Sequence, residues 1–189
     1  MTGQPVSLII IDMQQGMKGS AAGPRNNPDA ENNIQQLLMA WRGADWPIVH
    51  VRHISRSPDS PFWPGQPGAA FQPELAPADN EHIVEKNVPD AFILSGLERW
   101  LHVRGIGRVV LVGVSTNNSV EATARTAGNL GFATLVVSDA TFAFDKNDYT
   151  GMPRSADEVH AMSLANLDEE YATVMCTKDV LNQFKLQVG

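Results

Sequence analysis

The sequence predicts an α/β protein, a doubly wound three-layer α/β/α fold with a six-stranded, mainly parallel sheet. Short apolar runs rich in Val, Ile and Leu alternate along the chain with segments of helical periodicity. This alternation is typical of a parallel sheet that is covered by helices on both faces. The 189 residues are 43% hydrophobic and show no linker or internal repeat. We therefore expect a single domain that spans residues 1–189.

Residues 109–130 carry the feature around which the predicted fold is arranged. Residues 109–112, Val-Val-Leu-Val, form a short apolar run typical of a strand buried on both faces. Gly113 ends this run, and the polar residues 115–119 precede the helix formers that begin at Val120. Ligands of open α/β sheets bind at the carboxyl ends of strands, where unpaired N–H groups at a helix start also favour an oxyanion. The polar turn is therefore either part of a binding site or only the cap of a helix.

The remaining elements follow from periodicity and from the start and stop signals of helices. Pro28 is typical of the first helical position, and Gly43 is a stop signal. Ser155 and Glu158 have the spacing of a capping box. In chain order, we predict strands at 6–11, 46–52, 83–86, 109–112, 133–137 and 173–176, and helices at 28–41, 91–104, 120–130, 154–167 and 178–184.

A long segment, residues 55–79, is rich in Pro, Ser and Gly and shows little periodicity. A loop of this length in a compact domain is usually functional or contacts another subunit. Phe62, Trp63 and Phe71 lie within it. These aromatic side chains either line a pocket or pack against a neighbouring subunit.

Composition and charge exclude several classes of partner. The formal net charge of −7 and the absence of a basic stripe argue against nucleic acid. No apolar run approaches the roughly 18 residues that span a bilayer, and the N-terminus lacks the pattern of a secretory signal. The single cysteine, Cys176, lies in a predicted strand, so we expect a buried structural thiol and a reducing, cytoplasmic location. The expected partner is a small-molecule substrate, with no cofactor, nucleic acid or membrane.

Three polar residues stand at the carboxyl ends of different predicted strands. Asp12 follows the first strand, Lys86 ends the strand at 83–86, and Ser119 lies in the turn after 109–112. A nucleophile, a base and a cation that orients the base are the minimum for covalent hydrolysis. Ser119 would attack, Asp12 would accept its proton, and Lys86 would hold Asp12 ionised or polarise the substrate. The alternative interpretations are a loop-capping role for Asp12 and a solvated surface position for Lys86.

Four stretches match motifs of a known hydrolase superfamily. They are Leu-Ile-Ile-Ile-Asp-Met-Gln at 8–14, Val-Glu-Lys-Asn-Val-Pro-Asp-Ala-Phe at 84–92, Gly-Val-Ser-Thr-Asn-Asn-Ser-Val-Glu-Ala-Thr-Ala-Arg at 113–125, and Ser-Asp-Ala-Thr at 138–141. Over almost its whole length the chain thereby resembles the isochorismatase-like hydrolases, cysteine hydrolases that include amidases, nicotinamidases and isochorismatases. The resemblance implies cleavage of a small amide-type C–N bond, with Asp12, Lys86 and Ser119 at the positions of the catalytic residues.

The same resemblance implies further features of the site and of the assembly. It implies a cis peptide bond between Val114 and Ser115, and it places Ser115 and Asn118 near the oxyanion or the substrate. Phe62 and Trp63 are the candidates for substrate binding from the long loop. Members of the superfamily usually form dimers or tetramers, so we expect a homo-oligomer.

Ser119 departs from the pattern of the amidases, most of which carry cysteine at this position. The reference pKa of a thiol is about 8.5, whereas a hydroxyl needs a base at the moment of attack. Four explanations are open. The chain has a working serine nucleophile, or it hydrolyses a vinyl ether of the isochorismate type with Asp12 as general acid, or it is a catalytically silent ligand-binding relative, or it is a Cys-to-Ser variant.

The resemblance also bears on metal binding. Nicotinamidases of the superfamily bind a divalent metal through an Asp-x-His pattern and a later His, but the matching residues here are His50-Val51-Arg52-His53. This ligand set is incomplete, and the charge of Arg52 would repel a cation. We therefore predict no metal, which disfavours nicotinamidase activity. We expect His50, His53 and His160 to be packed or hydrogen-bonded structural residues.

Overall fold

The computed structural model describes residues 5–18 and 23–186 and contains one six-stranded sheet between two layers of helices. Its strands are β1 (Val6–Ile11), β2 (Ile48–His53), β3 (His82–Lys86), β4 (Arg108–Val114), β5 (Ala133–Phe142) and β8 (Thr173–Met175). The spatial order is β3-β2-β1-β4-β5-β8, and all five pairings are parallel. The predicted α/β fold is confirmed, with a sheet that is parallel throughout.

The helices and a small hairpin complete the described fold. The hairpin pairs β6 (Lys146–Asn147) with β7 (Pro153–Arg154) in the segment that follows β5. The α-helices are α1 (Ala30–Gly43), α2 (Leu97–Val103), α3 (Glu121–Asn129), α4 (Ala156–Leu167) and α5 (Thr177–Phe184). The capping box predicted for the start of α4 is present, with reciprocal hydrogen bonds between Ser155 and Glu158.

The core has two halves because side chains alternate between the faces of each strand. From β1, Leu8 and Ile10 point into the cluster beneath α1 and α5, whereas Ile9 and Ile11 point into the cluster beneath α2, α3 and α4. Trp41 of α1 is completely buried, and its indole Nε1 donates a hydrogen bond to the carbonyl of the first residue of β1 (2.9 Å). Burial of the whole strand explains why β1 reads as an uninterrupted apolar run.

Several predicted element ends differ from the structure; β5, for example, runs to Phe142 and not to 137. Two further differences concern residues 91–104 and Cys176. The helix predicted at 91–104 is present only as α2, because Leu94 and Gly96 adopt positive φ angles (55° and 76°) that interrupt a right-handed helix. The prediction of Cys176 as a buried strand residue is wrong. It lies after β8 as the N-cap of α5, it is only half-buried, and its thiol donates to Asp179 (3.2 Å).

The strand order determines where a ligand site lies. The chain winds from β1 outwards to β2 and β3, and then returns to place β4 on the other side of β1. In open α/β sheets such a reversal leaves a crevice at the carboxyl ends of the two central strands. Asp12 follows β1 and Ser115 follows β4, so the predicted site residues surround this crevice. Among the described residues, no helix is long and apolar enough to cross a membrane.

Candidate active site

Asp12, Lys86 and Ser119 come together in a buried cluster. Lys86 Nζ donates to Asp12 Oδ2 (2.6 Å) and to Ser119 Oγ (3.2 Å). The relative exposure of the three residues is only 1%, 4% and 6%. The alternative placements, a loop cap for Asp12 and a solvated surface for Lys86, are therefore wrong. The three residues come from sequence positions up to 107 apart, and only the sheet brings them together.

The backbone changes direction at Asp12. Its φ of +53° lies in the left-handed region, which Asp tolerates better than most residues with a Cβ. Its N–H donates to the carbonyl of Val51 (2.9 Å), which continues the bonding between β1 and β2. Its own carbonyl accepts from the N–H of Gln14 (2.7 Å). The hydrogen bonds of the Asp12 N–H and carbonyl thus fix the backbone from which the carboxylate extends.

Lys86 reaches the crevice from the edge of the sheet. It ends β3, and β2 lies between β3 and β1, so the lysine side chain extends across one strand to meet Asp12. Its side chain is completely buried at the ion pair. A long, flexible side chain with a compact ammonium head suits this task, because it can donate to two acceptors at once.

Ser119 lies in a π-helical turn, Thr116–Val120, between β4 and α3. The peptide bond between Val114 and Ser115 at the start of this segment is cis, as the resemblance implies. The carbonyl of Ser115 accepts from the N–H groups of Asn118 (3.1 Å) and Val120 (3.2 Å). The side chain of Ser115 makes no capping hydrogen bond, so helix capping does not account for this residue.

Helix α4 holds the Ser119 turn from behind. Thr116 Oγ1 and His160 Nδ1 are hydrogen-bonded at 2.8 Å. Ser163 Oγ contacts both the carbonyl of Thr116 (3.0 Å) and the carboxylate of Glu121 (2.6 Å) at the start of α3. His160 therefore has the structural, hydrogen-bonded role expected of it, and it supports the turn that presents Ser119.

The surroundings of Asp12 raise the pKa of its carboxyl group. Burial raises the pKa of Asp12, and the charge and hydrogen bond of Lys86, with a smaller effect of the Ser119 hydroxyl, only partly oppose that rise. Oδ2 is bound to Lys86, but Oδ1 is buried and has no hydrogen-bond partner among the described residues. A carboxyl group with one free, desolvated oxygen is suited to accept or donate a proton.

The other predicted site residues lie around this cluster with different degrees of contact. Ser115 is half-buried next to the turn. The backbone N–H of Asn118 donates to the carbonyl of Ser115, and Asn118 is exposed. Phe62 is half-buried and reaches the site through the ring of His53, with the centroids 6.1 Å apart. Trp63 is half-buried beside it, and no described hydrogen bond or ring contact joins it to the catalytic candidates. Its role in substrate binding or in subunit contact, like the homo-oligomer itself, stays a prediction.

The histidines of β2 do not fit a metal site. His50 and Arg52 point to one face of the sheet and His53 to the other, because side chains alternate along a strand. His50 is fully buried and contacts Glu81 (2.7 Å), while Arg52 is paired with Glu85. Within residues 5–18 and 23–186, no group of three His, Cys, Asp or Glu side chains is close enough to hold an ion. The residues that the nicotinamidase pattern would require for metal are thus engaged elsewhere or face away from one another.

Two residues at the site were missed as functional candidates. His53 ends β2 between the strands that carry Asp12 and Lys86. Gln14 is completely buried and hydrogen-bonds both the N–H and the carbonyl of His53. The sequence did contain a signal for His53. Alternate residues of a strand face the same side, so His53 is a polar residue on the face that Val49 and Val51 bury.

Comparison with known proteins agrees with this fold. An isochorismatase domain matches residues 6–179. The isochorismatase family protein YrdC of Bacillus subtilis (strain 168), described as uncharacterized, is 39% identical over 178 residues, which are 94% of this chain and 95% of YrdC. Maleamate amidohydrolase of Pseudomonas putida is 28% identical over 204 residues, covering 99% of this chain and 90% of that enzyme. A solved isochorismatase-family structure from Chromobacterium violaceum ATCC 12472 is 49% identical, with a TM-score of 0.95 over 98% of this chain and 96% of that one. The chain therefore belongs to the isochorismatase family of hydrolases.

Proposed function

We propose that this protein hydrolyses the C–N bond of a small amide, with Ser119 as nucleophile, Asp12 as general base and Lys86 as the group that orients both. The observation that supports this most directly is the shared ammonium. Lys86 Nζ holds Asp12 at 2.6 Å and Ser119 Oγ at 3.2 Å, while Asp12 Oδ1 has no described partner. A nucleophile and a base that share one donor have the relative placement that triad chemistry requires.

Acyl transfer would proceed in two balanced steps. Ser119 Oγ forms a bond to the carbonyl carbon while its proton passes to Asp12 Oδ1. The C–N bond then breaks, the proton moves from Asp12 to the leaving nitrogen, and an ester on Ser119 remains. Water attacks this ester with Asp12 again as base, which releases the acid and restores the hydroxyl. The first turn around Ser119 presents N–H groups of positive polarity, which would stabilise the tetrahedral oxyanion.

Serine sets a demanding condition on this mechanism. A hydroxyl is a weaker nucleophile than a thiolate, so its attack depends on the basicity of Asp12. Burial raises the pKa of Asp12 and makes it a stronger base than a solvated carboxylate. We expect the serine protein to be slower than a Ser119→Cys variant, whose thiol ionises more readily at a helix start.

A second candidate is the hydrolysis of a vinyl ether, with Asp12 as general acid. The raised pKa of Asp12 favours it, because a larger fraction of the carboxyl is protonated near neutral pH than for a solvated Asp. In this mechanism Ser119 forms no covalent bond. The two candidates therefore predict different consequences of removing its hydroxyl.

The test compares the parent protein with Ser119→Ala, Ser119→Cys and Asp12→Asn. The substrates are maleamate, a panel of small amides and carbamates, and isochorismate, and the readouts are product release and the intact mass of the protein. The proposal expects amide turnover that falls by on the order of 10³-fold or more in Ser119→Ala and increases, or gives a covalent adduct, in Ser119→Cys. Full amide turnover by Ser119→Ala would contradict the covalent mechanism.

The pH profile separates the two roles of Asp12. A general base must be ionised, so amide turnover is expected to fall as the pH decreases through the raised pKa of Asp12. A general acid must be protonated, so vinyl-ether turnover would fall as the pH increases through the same pKa. Asp12→Asn removes both activities. Binding of the substrates without turnover by any variant would instead favour a ligand-binding relative.

A further inference from the structure

The last residue of β2, His53, points towards the buried cluster of Asp12, Lys86 and Ser119. Val49 and Val51 lie in the core half beneath α2, α3 and α4, and the period of two directs the side chain of His53 to the same face. His53 is the register partner of Lys86 in the pairing of β2 with β3. Because β2 lies between β3 and β1, the imidazole is next to the path of the lysine side chain towards Asp12.

The imidazole of His53 is close to the catalytic charges but is not part of their hydrogen bonds. It is half-buried, and burial and the charge of Lys86 lower its pKa, while the charge of Asp12 raises it. The lowered pKa favours the neutral ring, which carries one donor and one acceptor nitrogen. No hydrogen bond to either nitrogen is formed within the described part of the chain, and the ring meets Phe62 edge-to-face at 6.1 Å.

Gln14 holds the backbone of His53 in place through its side-chain amide. Its side-chain Oε1 accepts from the N–H of His53 (2.8 Å), and its Nε2 donates to the carbonyl of His53 (3.0 Å) and to the carbonyl of Ala69 (2.9 Å). Gln14 itself is completely buried. Phe62 packs close to Gly16, because a Cβ placed on Gly16 would lie 2.8 Å from its ring. The backbone of His53 is thus held by hydrogen bonds, while its ring nitrogens make none within the described residues.

We propose that His53 is a substrate-binding residue, which hydrogen-bonds an acceptor oxygen of the small amide away from the scissile bond, and that Gln14 is its positioning residue. This assignment rests on the proposed amide hydrolysis and narrows its substrate class. At His53 the charge of Lys86 acts more strongly than the opposite charge of Asp12, which favours a carbonyl or carboxylate oxygen over a cationic substituent at this place. The predicted substrate is therefore a small amide with a second carbonyl or carboxylate group.

The test measures binding in a Ser119→Ala background, in which turnover does not interfere. The probes are maleamate, which has the second carboxylate, and the cis isomer of crotonamide (referred to below as crotonamide), which has a methyl group in its place on the same cis double bond. In this background, His53→Phe keeps a ring against Phe62. We expect it to lower the affinity for maleamate about tenfold, equivalent to about 1.4 kcal/mol, and to leave the affinity for crotonamide unchanged. His53→Gln, which retains a donor and an acceptor, should recover part of the affinity. His102→Phe, on α2 and largely exposed, is the matched control and should change neither affinity.

A second measurement needs no substitution at His53. In the Ser119→Ala protein, maleamate should shift the imidazole ¹⁵N resonances of His53, and crotonamide should not. For Gln14→Ala we expect loss of this shift and of the maleamate preference while the affinity for crotonamide is kept, a pattern that a general loss of stability would not produce.

The outcomes separate this inference from the proposed function. Equal maleamate affinity in His53→Phe and its parent, or no shift of the His53 resonances on maleamate binding, would overturn the role of His53 alone. Failure of both amides to bind would count against the proposed amide hydrolysis and the role of His53 together. Binding with the expected preference, but full turnover by Ser119→Ala, would leave the role of His53 supported and refute the covalent mechanism.

Discussion

The buried ion pair between Lys86 and Asp12 offers the sharpest test of how this site is held. We consider Lys86→Met, which keeps the approximate volume and length of the side chain but removes its charge. The substitution leaves the carboxylate of Asp12, whose side chain is 2% exposed, without its counter-charge. Asp12→Asn creates the converse situation, with an unpaired buried ammonium.

The geometry sets the size of the expected effect. At a separation of 2.6 Å and an effective dielectric constant of about 20, the attraction between the two charges is about 6 kcal/mol. The cost of removing both charges from water is of similar size, so the intact pair contributes little net stability. Removing one partner keeps the cost of burying the other, and each single variant is therefore expected to lose about 3–5 kcal/mol of unfolding free energy. The double variant Asp12→Asn, Lys86→Met should recover at least about 2 kcal/mol of the combined loss.

The assay is urea unfolding of the four proteins between pH 4 and pH 7. Burial raises the folded-state pKa of Asp12 above its ordinary value, and Lys86→Met raises it further by removing the opposing charge. A raised pKa of a carboxyl means that its favourable contribution is present at low pH and is lost as the pH increases through the folded-state value. The stability of Lys86→Met relative to the double variant should therefore fall from pH 4 to pH 7.

Two results would refute this reasoning. One is additive losses in the two single variants, since these would mean that the charges do not interact as a buried pair. The other is a difference between Lys86→Met and the double variant that is constant with pH. Lys18→Met is the control, because the ion pair of Lys18 with Glu74 is exposed on both sides and should have little effect on stability.

Three further predictions concern the frame of the site. Gly113→Ala should lower the unfolding free energy by at least about 3 kcal/mol in urea titration, because its φ is +118° and the added Cβ would lie 2.1 Å from the carbonyl oxygen of Ile11. The control is Gly43→Ala at the end of α1, where the added Cβ meets nothing within 4 Å. It should change the unfolding free energy by no more than about 1 kcal/mol. Burial raises the pKa of Glu81, but the bonds from Arg42, from the N–H of residue 78 and from His50 together lower it to about 2. Glu81→Gln should therefore be less stable than the parent at pH 7, and the difference should shrink as the pH falls from about 4.5 towards 2 in denaturation at several pH values. Ser163→Ala should lose about 1–2 kcal/mol of unfolding free energy, and its KM should rise because the Ser119 turn loses a support.

The sheet and its order of elements could be predicted from the sequence because they depend on local patterns. Residues 6–11 and 109–112 are apolar without interruption, which indicates burial on both faces, and both segments are strands of the central sheet. The capping box of α4 was equally local, since its two residues lie three positions apart. The motifs around Asp12, Lys86 and Ser119 were sufficient to identify the family.

Where local signals conflicted, the sequence was a poorer guide. The apolar spacing of residues 91–104 predicts a single helix, but positive φ angles at Leu94 and Gly96 delay its start until residue 97. The apolar run before Cys176 predicts that it belongs to a strand, yet the strand ends one residue earlier, at Met175, and Cys176 is the N-cap of α5. In both cases a backbone conformation, rather than a hydrophobic pattern, determined the boundary.

Only the tertiary structure decided how the residues of the candidate site are arranged. The sequence places Asp12, Lys86 and Ser119 at strand ends, but it does not show that one ammonium binds both other side chains or that Asp12 Oδ1 has no described partner. It also treats His50 and His53 alike, although His50 is buried against Glu81 and His53 lies beside the charges of Lys86 and Asp12. Such differences arise from contacts between strands that are distant in sequence, because burial, pKa and hydrogen bonding depend on the neighbours that the completed sheet brings together.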